Sequence, residues 1–323
     1  MKLSDCSEEE REQLIALQAR IGRAHLRHRL GLEGEHEARV FRKGTHFFHL
    51  ENWYSMHSLL RLALTLLGLH GRGRRNALRI QLRHNDVMLG NLPHAFDGYT
   101  LLHLSDLHLD VNDAYVARLI ERVQGLEHDA CVMTGDFRFR TFGPPEPAMD
   151  ALACLRSHLG EAVYAVLGNH DTIRMVPRME AMGIRVLMNE SVRIARARDA
   201  IHVAGIDDAH YFRTHGYHKA ADGIPQDACA ILLSHTPEAY RHAAHCGFSL
   251  MLCGHTHGGQ ICLPGGIPIL TDSDAPRAYA RGPWRFGDMA GYTSVGCGSS
   301  IVDVRLNCLP EITLHRLRCG PAQ

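Results

Sequence analysis

The chain mixes two patterns: stretches whose apolar residues recur at helical spacing, and short continuous apolar runs that end in polar clusters. Residues 7–30 place Leu14, Ile15, Leu17, Ile21 and Leu26 on what would be one helical face. Ser7 and Glu10 there have capping-box spacing, with acids crowding the first turn. A polar stretch follows to about Asn52. Tyr54 to Leu69 then holds seven leucines interrupted by Arg61. That is short of the roughly 20 apolar residues a bilayer span needs. His70, Arg72, Arg74, Arg75 and Arg79 come directly after it. An apolar helix beside a basic cluster has the makings of an interfacial membrane element. A core helix followed by a solvated arginine loop fits the same pattern. Residues 77–90 read as a hairpin, with Leu78 to Leu82 and Val87 to Leu89 joined through His84-Asn85-Asp86.

From about residue 95 the period changes. Strand-like runs at 99–104, 130–134, 163–167 and 184–187 alternate with helix-like stretches at 114–126, 147–159 and 176–182. This is the order of βαβ units. Further strands are expected at 191–195, 200–204, 228–233 and 250–253, and 292–295, 302–306 and 312–317 read as purely β. The pattern divides the chain into an N-terminal extension over 1–95, helical plus the hairpin, and one α/β domain over 96–320. The extension would serve as a membrane element or a lid.

Charge narrows the partners. Lys plus Arg total 35 and Asp plus Glu total 35, so the formal net charge is zero. That argues against nucleic acid held by bulk electrostatics. The ten cysteines contain no CxxC pair, and Cys131, Cys229 and Cys253 lie inside apolar runs. Buried free thiols in a reduced, cytoplasmic compartment are the expectation. The N-terminus has no apolar core of a signal peptide. Docking through residues 54–79 would put the chain on the periphery of the inner membrane.

The candidate chemistry sits where the apolar runs stop. The run 99–104 is followed by Ser105-Asp106-Leu107-His108, 130–134 by Gly135-Asp136, and 163–167 by Gly168-Asn169-His170-Asp171. The run 228–233 is followed by Ser234-His235, and 250–253 by Gly254-His255-Thr256-His257-Gly258-Gly259-Gln260. In open α/β sheets, sites form beyond the carboxyl ends of strands. One such carboxylate is an ordinary turn or N-cap residue; five strand ends each offering a carboxylate, imidazole or amide point to a shared site. The two histidines two apart at the strand end are presented together, and Gly254, Gly258 and Gly259 permit the backbone to bend there.

These ordered motifs resemble the calcineurin-like metallophosphoesterase superfamily over about residues 98–318. The longer run from Gly254 through Gln260 to Pro264 is similar to a bacterial, often membrane-associated subgroup that includes UDP-2,3-diacylglucosamine hydrolases. The resemblance implies a four-layer α/β/β/α sandwich, two central sheets flanked by helices. It implies two divalent cations, of Mn, Fe or Zn type. Asp106, His108 and His257 would hold the first, Asn169, His235 and His255 the second, and Asp136 would bridge them. His170 would be catalytic, over the substrate phosphate. The implied reaction is hydrolysis of a phosphodiester or pyrophosphate by a metal-activated hydroxide.

One departure stands out. Where many members carry an acid three residues after the position of Asp136, this chain has Phe139, so the group that orients His170 is open, and Asp171 need not replace it. Arg138 and Arg140 lie just past a candidate ligand and would pair with a substrate phosphate or stand as surface arginines. The aromatic and basic run from His210 to His218 would line the site mouth or form a surface loop. A nucleotide-linked lipid such as UDP-2,3-diacylglucosamine, a soluble phosphodiester such as a cyclic nucleotide or nucleic acid, and a non-catalytic metal-binding scaffold all fit the motif, since the fold does not set the substrate.

Overall fold

The structure, a computed structural model, describes residues 8–42 and 54–320. The expected cap at Ser7 and the polar stretch over 43–53 lie outside the described residues. The helix expected over 7–30 is two helices, α1 (Glu8–Ile21) and α2 (Arg23–Arg42). They are divided at Gly22, whose φ of 93° no helix tolerates. Leu14, Leu17, Ile21 and Leu26 are buried as the periodicity requires, while Ile15 is exposed.

Two short helices follow, α3 (Tyr54–Leu66) and α4 (His70–Ala77). The hairpin expected over 77–90 is instead one strand, β1 (Gln81–Leu89). It runs parallel to the last strand, β14 (Glu311–Cys319), from the pair Gln81↔Glu311 to the pair Leu89↔Cys319. His84-Asn85-Asp86 resembles a turn because these residues favour turns. On this edge strand they stay extended, and Asn85 Nδ2 lies 3.0 Å from His315 Nδ1 on β14. The stretch before residue 95 therefore contributes a strand to the first sheet.

The βαβ region follows the pattern closely. It comprises β2 (Thr100–Leu104), α5 (Asp113–Val123), β3 (Ala130–Thr134), α6 (Glu146–Arg156), β4 (Val163–Val166), α7 (Val176–Ala181) and β5 (Arg185–Val186). Next come β6 (Glu190–Arg196), β7 (Asp199–Gly205), α8 (Tyr217–Ala221), β8 (Ala230–Leu233), α9 (Tyr240–His245) and β9 (Leu250–Cys253). A small ribbon of β10 (Cys262–Leu263) and β11 (Ile267–Pro268) precedes β12 (Gly282–Phe286) and β13 (Met289–Thr293). The strand expected over 302–306 does not form. Val302, Val304 and Leu306 alternate like a strand, but they bury themselves as a loop against Leu64 of α3, with a single bridge between Leu306 and Ile261.

The first sheet has the order β1-β14-β2-β3-β4-β5 and the second β12-β13-β9-β8-β7-β6. Leu101, Val132 and Val166 of the first meet Val203, Ile231 and Leu252 of the second in a dry interlayer. Leu102, Leu104 and Met133 face outward onto α1, α2, α5, α6 and α7. Leu232 and Met251 face α8 and α9. The four-layer sandwich explains the continuous apolar runs, because central strands covered on both faces need no polar side. Strands β2, β3 and β4 are mutually parallel, as are β7, β8, β9 and β13, so the strand ends from both sheets share one rim.

Candidate metal centre

Seven ligand-type side chains meet at that rim. Asp106 and His108 follow β2, Asp136 follows β3, Asn169 follows β4, His235 follows β8, and His255 and His257 follow β9. All seven are buried. Five of them have left-handed backbone: Asp106 (φ 52°), His108 (42°), Asp136 (57°), His255 (70°) and His257 (48°). Non-glycine residues rarely sit there, and strain of this kind collects at functional sites. The bend at the strand end is thus made by the histidines themselves, not by neighbouring glycines alone. Gly254 instead allows close approach, since a Cβ there would run into Ser105 Oγ and the Asp106 carboxylate.

The side chains form two groups sharing an edge. In the first, His108 Nε2 is 3.3 Å from His257 Nε2, which is 3.6 Å from Asp106 Oδ1. In the second, His235 Nε2 is 2.8 Å from Asn169 Oδ1 and 3.1 Å from His255 Nδ1. Asp136 Oδ2 lies 3.4 Å from His235 Nε2 and 3.9 Å from His108 Nε2, between the groups.

The ring nitrogens are aimed from behind. His108 Nδ1 donates to the Arg138 carbonyl at 2.9 Å and His235 Nδ1 to the Thr134 carbonyl at 2.8 Å. His108 is thereby left with an Nε2 lone pair facing inward, the arrangement metal-ligating histidines use, while His235 turns its Nε2 inward toward Asp136. Arg305, fully buried, donates Nη1 to the His257 carbonyl at 3.0 Å and brings Nη2 within 3.0 Å of its Nδ1. Burial lowers His108 to about 4 and, with Arg305 beside it, puts His257 well below its ordinary value, so both rings are neutral at pH 7. Burial raises Asp106 to about 6, and the neighbouring Asp136 adds to this. Burial opposes charge on Asp136 and His235, but their mutual attraction wins, holding the acid low and the imidazole high. Buried carboxylates, imidazoles and one amide converging within such distances fit two divalent cations. Imidazole and carboxylate groups of this kind are those that hold divalent cations.

His170 sits beside the shared edge, its Nε2 3.9 Å from Asp136 Oδ2. Its Nδ1 is 3.3 Å from Thr141 Oγ1, a partner that nothing in the sequence signalled. Asp171 does not take the role of the missing acid. Its carboxylate accepts from the backbone N–H groups of Asp136 (2.7 Å), Phe137 (2.9 Å) and Gly168 (2.8 Å), locking the β3 and β4 loops together. Of the two arginines, Arg140 is exposed, while Arg138 is buried beside a cavity of about 250 Å³. His210 borders the site, with ring centroids 4.3 Å from His255 and Nδ1 3.0 Å from Glu238 Oε1.

A family profile described as calcineurin-like phosphoesterase matches residues 99–259. Over 230 residues the chain is 31% identical to the uncharacterized metallophosphoesterase YkoQ of Bacillus subtilis (strain 168), covering 67% of this chain and 83% of that protein. The chain belongs to the calcineurin-like phosphoesterase family. It is also 28% identical over 238 residues to phosphodiesterase YaeI of Escherichia coli (strain K12), covering 68% of this chain and 82% of that one. Identity to the UDP-2,3-diacylglucosamine pyrophosphatase LpxG of Chlamydia trachomatis serovar D is 26% over 229 residues, 54% of this chain and 69% of the relative. Membership makes this calcineurin-like phosphoesterase a metal-dependent phosphoric ester hydrolase.

Proposed function

We propose that the chain is a dinuclear phosphodiesterase that cleaves a phosphodiester or pyrophosphate bond of a nucleotide-linked lipid, such as UDP-2,3-diacylglucosamine, at a membrane surface. The observation that carries the dinuclear reading is the place of Asp136, with one carboxylate oxygen near a ring nitrogen of each ligand group. Asp106, His108 and His257 would hold one cation, Asn169, His235 and His255 the other. When bound, two such cations offset substrate charge and lower the pKa of a water. His170, oriented by Thr141, would give a proton to the leaving oxygen as the phosphorus–oxygen bond breaks.

The lipid part of the reading is supported by α3 and the residue after it. Leu66 is 80% exposed, Leu67 71% and Leu59 60%, and Leu62 joins them. Leu64, by contrast, is buried against Val302, Val304 and Leu306. Ile261 packs on the same cluster, and Leu263, Ile267, Ile269 and Leu270, just beyond it, are exposed too. Two apolar surfaces thus adjoin next to the His257–Gln260 turn. Arg61, His70, Arg74 and Asp303 line a cavity of about 380 Å³ at the foot of α3; Arg74 lies 3.9 Å from Asp303, and Arg61 supplies positive charge for anionic headgroups. Among the described residues no helix is long and apolar enough to cross a membrane. On this reading residues 54–79 of the N-terminal extension, 1–95, would dock and 96–320 would catalyse, on the cytoplasmic face of the inner membrane.

The test is turnover after metal removal and repletion with Mn, Fe or Zn, on bis(p-nitrophenyl) phosphate and on UDP-2,3-diacylglucosamine in detergent micelles. Metal-dependent turnover lost in Asp136→Ala and His170→Ala, with preference for the lipid, is expected. Preference for the soluble ester would remove the lipid reading, and failure to bind metal would remove the whole.

A further inference from the structure

Arg138 lies two residues past Asp136 and its carbonyl already holds His108. Its side chain turns the other way, into the protein, and the residue is 3% exposed. Nε donates to the Arg140 carbonyl and Nη1 to the Gly143 carbonyl at 3.0 Å. Among the described residues no carboxylate reaches it within ion-pair distance. A buried arginine is ordinarily paired, because an unpaired buried charge is costly.

The acids around it are committed elsewhere. Asp171 accepts from three backbone N–H groups. Glu33 of α2 is taken by Arg29 Nε at 2.9 Å, Ile173 N at 2.8 Å and Thr172 Oγ1 at 2.6 Å. Asp110 accepts from Phe139 N at 2.6 Å. Glu37 is exposed at the rim.

Beside the guanidinium is the cavity of about 250 Å³. Its apolar wall is Leu30 of α2, Phe142, Pro145 and Phe212, Thr141, the partner of His170, forms part of it, and its polar lining carries Arg174 beside Arg138 as well as the carboxylates of Glu33, Glu37 and Asp171. The space is thus one side chain away from the group placed to protonate a leaving oxygen. We propose that this cavity is a leaving-group subsite for an apolar or aromatic group bearing an oxyanion, which the free edge of the Arg138 guanidinium receives. Asp171, Glu33, Asp110 and Glu37 act on the guanidinium from beyond ion-pair distance; a bound oxyanion would be its one direct charged partner, and α2 would define how large a group enters. The link to catalysis rests on the phosphodiesterase reading above; the binding site itself does not.

Binding is therefore the test. Benzoate and phenyl phosphate, with benzamide as the uncharged counterpart, would be titrated by calorimetry into the full chain as purified and after chelation. Chelation removes the competing metal-directed binding of a phosphate. Both anions, or one of them, should bind in both preparations, benzamide should not, and Arg138→Gln should weaken binding at least tenfold while Arg138→Lys retains part of it. The stronger anion identifies the oxyanion as carboxylate or phosphate. Circular dichroism and melting would first establish that the variants fold; if Arg138→Gln does not, Leu30→Trp, which fills the cavity from α2, should abolish binding instead. Equal binding by Arg138→Gln, binding only before chelation, or none by any probe would overturn the subsite. Binding without turnover on any ester would leave the subsite standing and remove the catalytic reading.

Discussion

Arg29 Nη2 donates to the backbone carbonyl of Asp171 across 2.7 Å, fastening α2 to the turn that carries Asn169 and His170. The same guanidinium donates Nη1 to Asp207 Oδ1 at 2.6 Å and lies 3.7 Å over the Phe212 ring. Arg29→Met should cost about 3–5 kcal/mol, since it leaves Asp207 buried with much of its counter-charge gone. Arg29→Lys keeps a charge but not the planar fork, so it should fall between. Denaturant midpoints of the two variants against wild type decide this. Burial works against a charged Asp207, yet Arg29 and His25 hold it at about 2. The stability it gives is present above the ordinary carboxylate value and lost as pH falls through about 2.

Thr141→Val should lower kcat by up to about tenfold with little change in KM, because the hydroxyl acts through the His170 ring. His170→Ala should lower kcat by about 10²–10⁴. Steady-state kinetics on bis(p-nitrophenyl) phosphate read both. Wild-type kcat in both variants would remove His170 from the chemistry.

His103 and His315 form a buried pair, with His103 Nδ1 3.2 Å from His315 Nε2 and His103 Nε2 2.9 Å from Thr134 Oγ1. Burial lowers His103 to about 3 and His315 well below its ordinary value. Between pH 6.5 and about 3 the unfolded chain binds protons that the folded chain refuses. Stability should therefore be full above about 6.5 and erode as pH falls toward 3. His103→Gln should flatten that slope, measured as denaturant midpoint against pH; an unchanged slope would mean other groups dominate it.

Removing metal should lower Tm by about 4 °C, the shift expected for a chain of this length when a ligand present at about a hundred times its Kd is taken away. The cause is electrostatic: Asp106 and Asp136 are buried together, and cations are the natural counter-charge. Scanning calorimetry before and after chelation gives the number, and no shift would argue against tight metal binding.

Leu62→Asp with Leu66→Asp should abolish co-sedimentation with anionic vesicles and leave Tm unchanged, because both side chains face solvent. Retained sedimentation would move the docking surface away from α3.

The candidate metal centre is the most legible part of the sequence. Each candidate ligand follows a continuous apolar run, and such runs are strands buried on both faces, so the ends announce themselves. Long-range partners leave no such trace. The parallel pairing of β1 with a strand more than two hundred residues later has no local turn signal, which is why His84-Asn85-Asp86 reads as a hairpin. Val302, Val304 and Leu306 alternate as a strand does, but their partner is a helix face. Arg29 and Thr141 act through contacts 142 and 29 residues away, and neither residue type at its position distinguishes itself from a surface residue.

The place of β14 between β1 and β2 bears on how the molecule is made. A ribosome delivers β1 and β2 some two hundred residues before the strand that separates them. Through that interval both ribbons present open edges, the kind that recruits other chains. A nascent polypeptide of this design keeps those edges open until residues 311–319 emerge. A truncation before Glu311 should yield inclusion bodies even though every residue of the candidate metal centre has been synthesised.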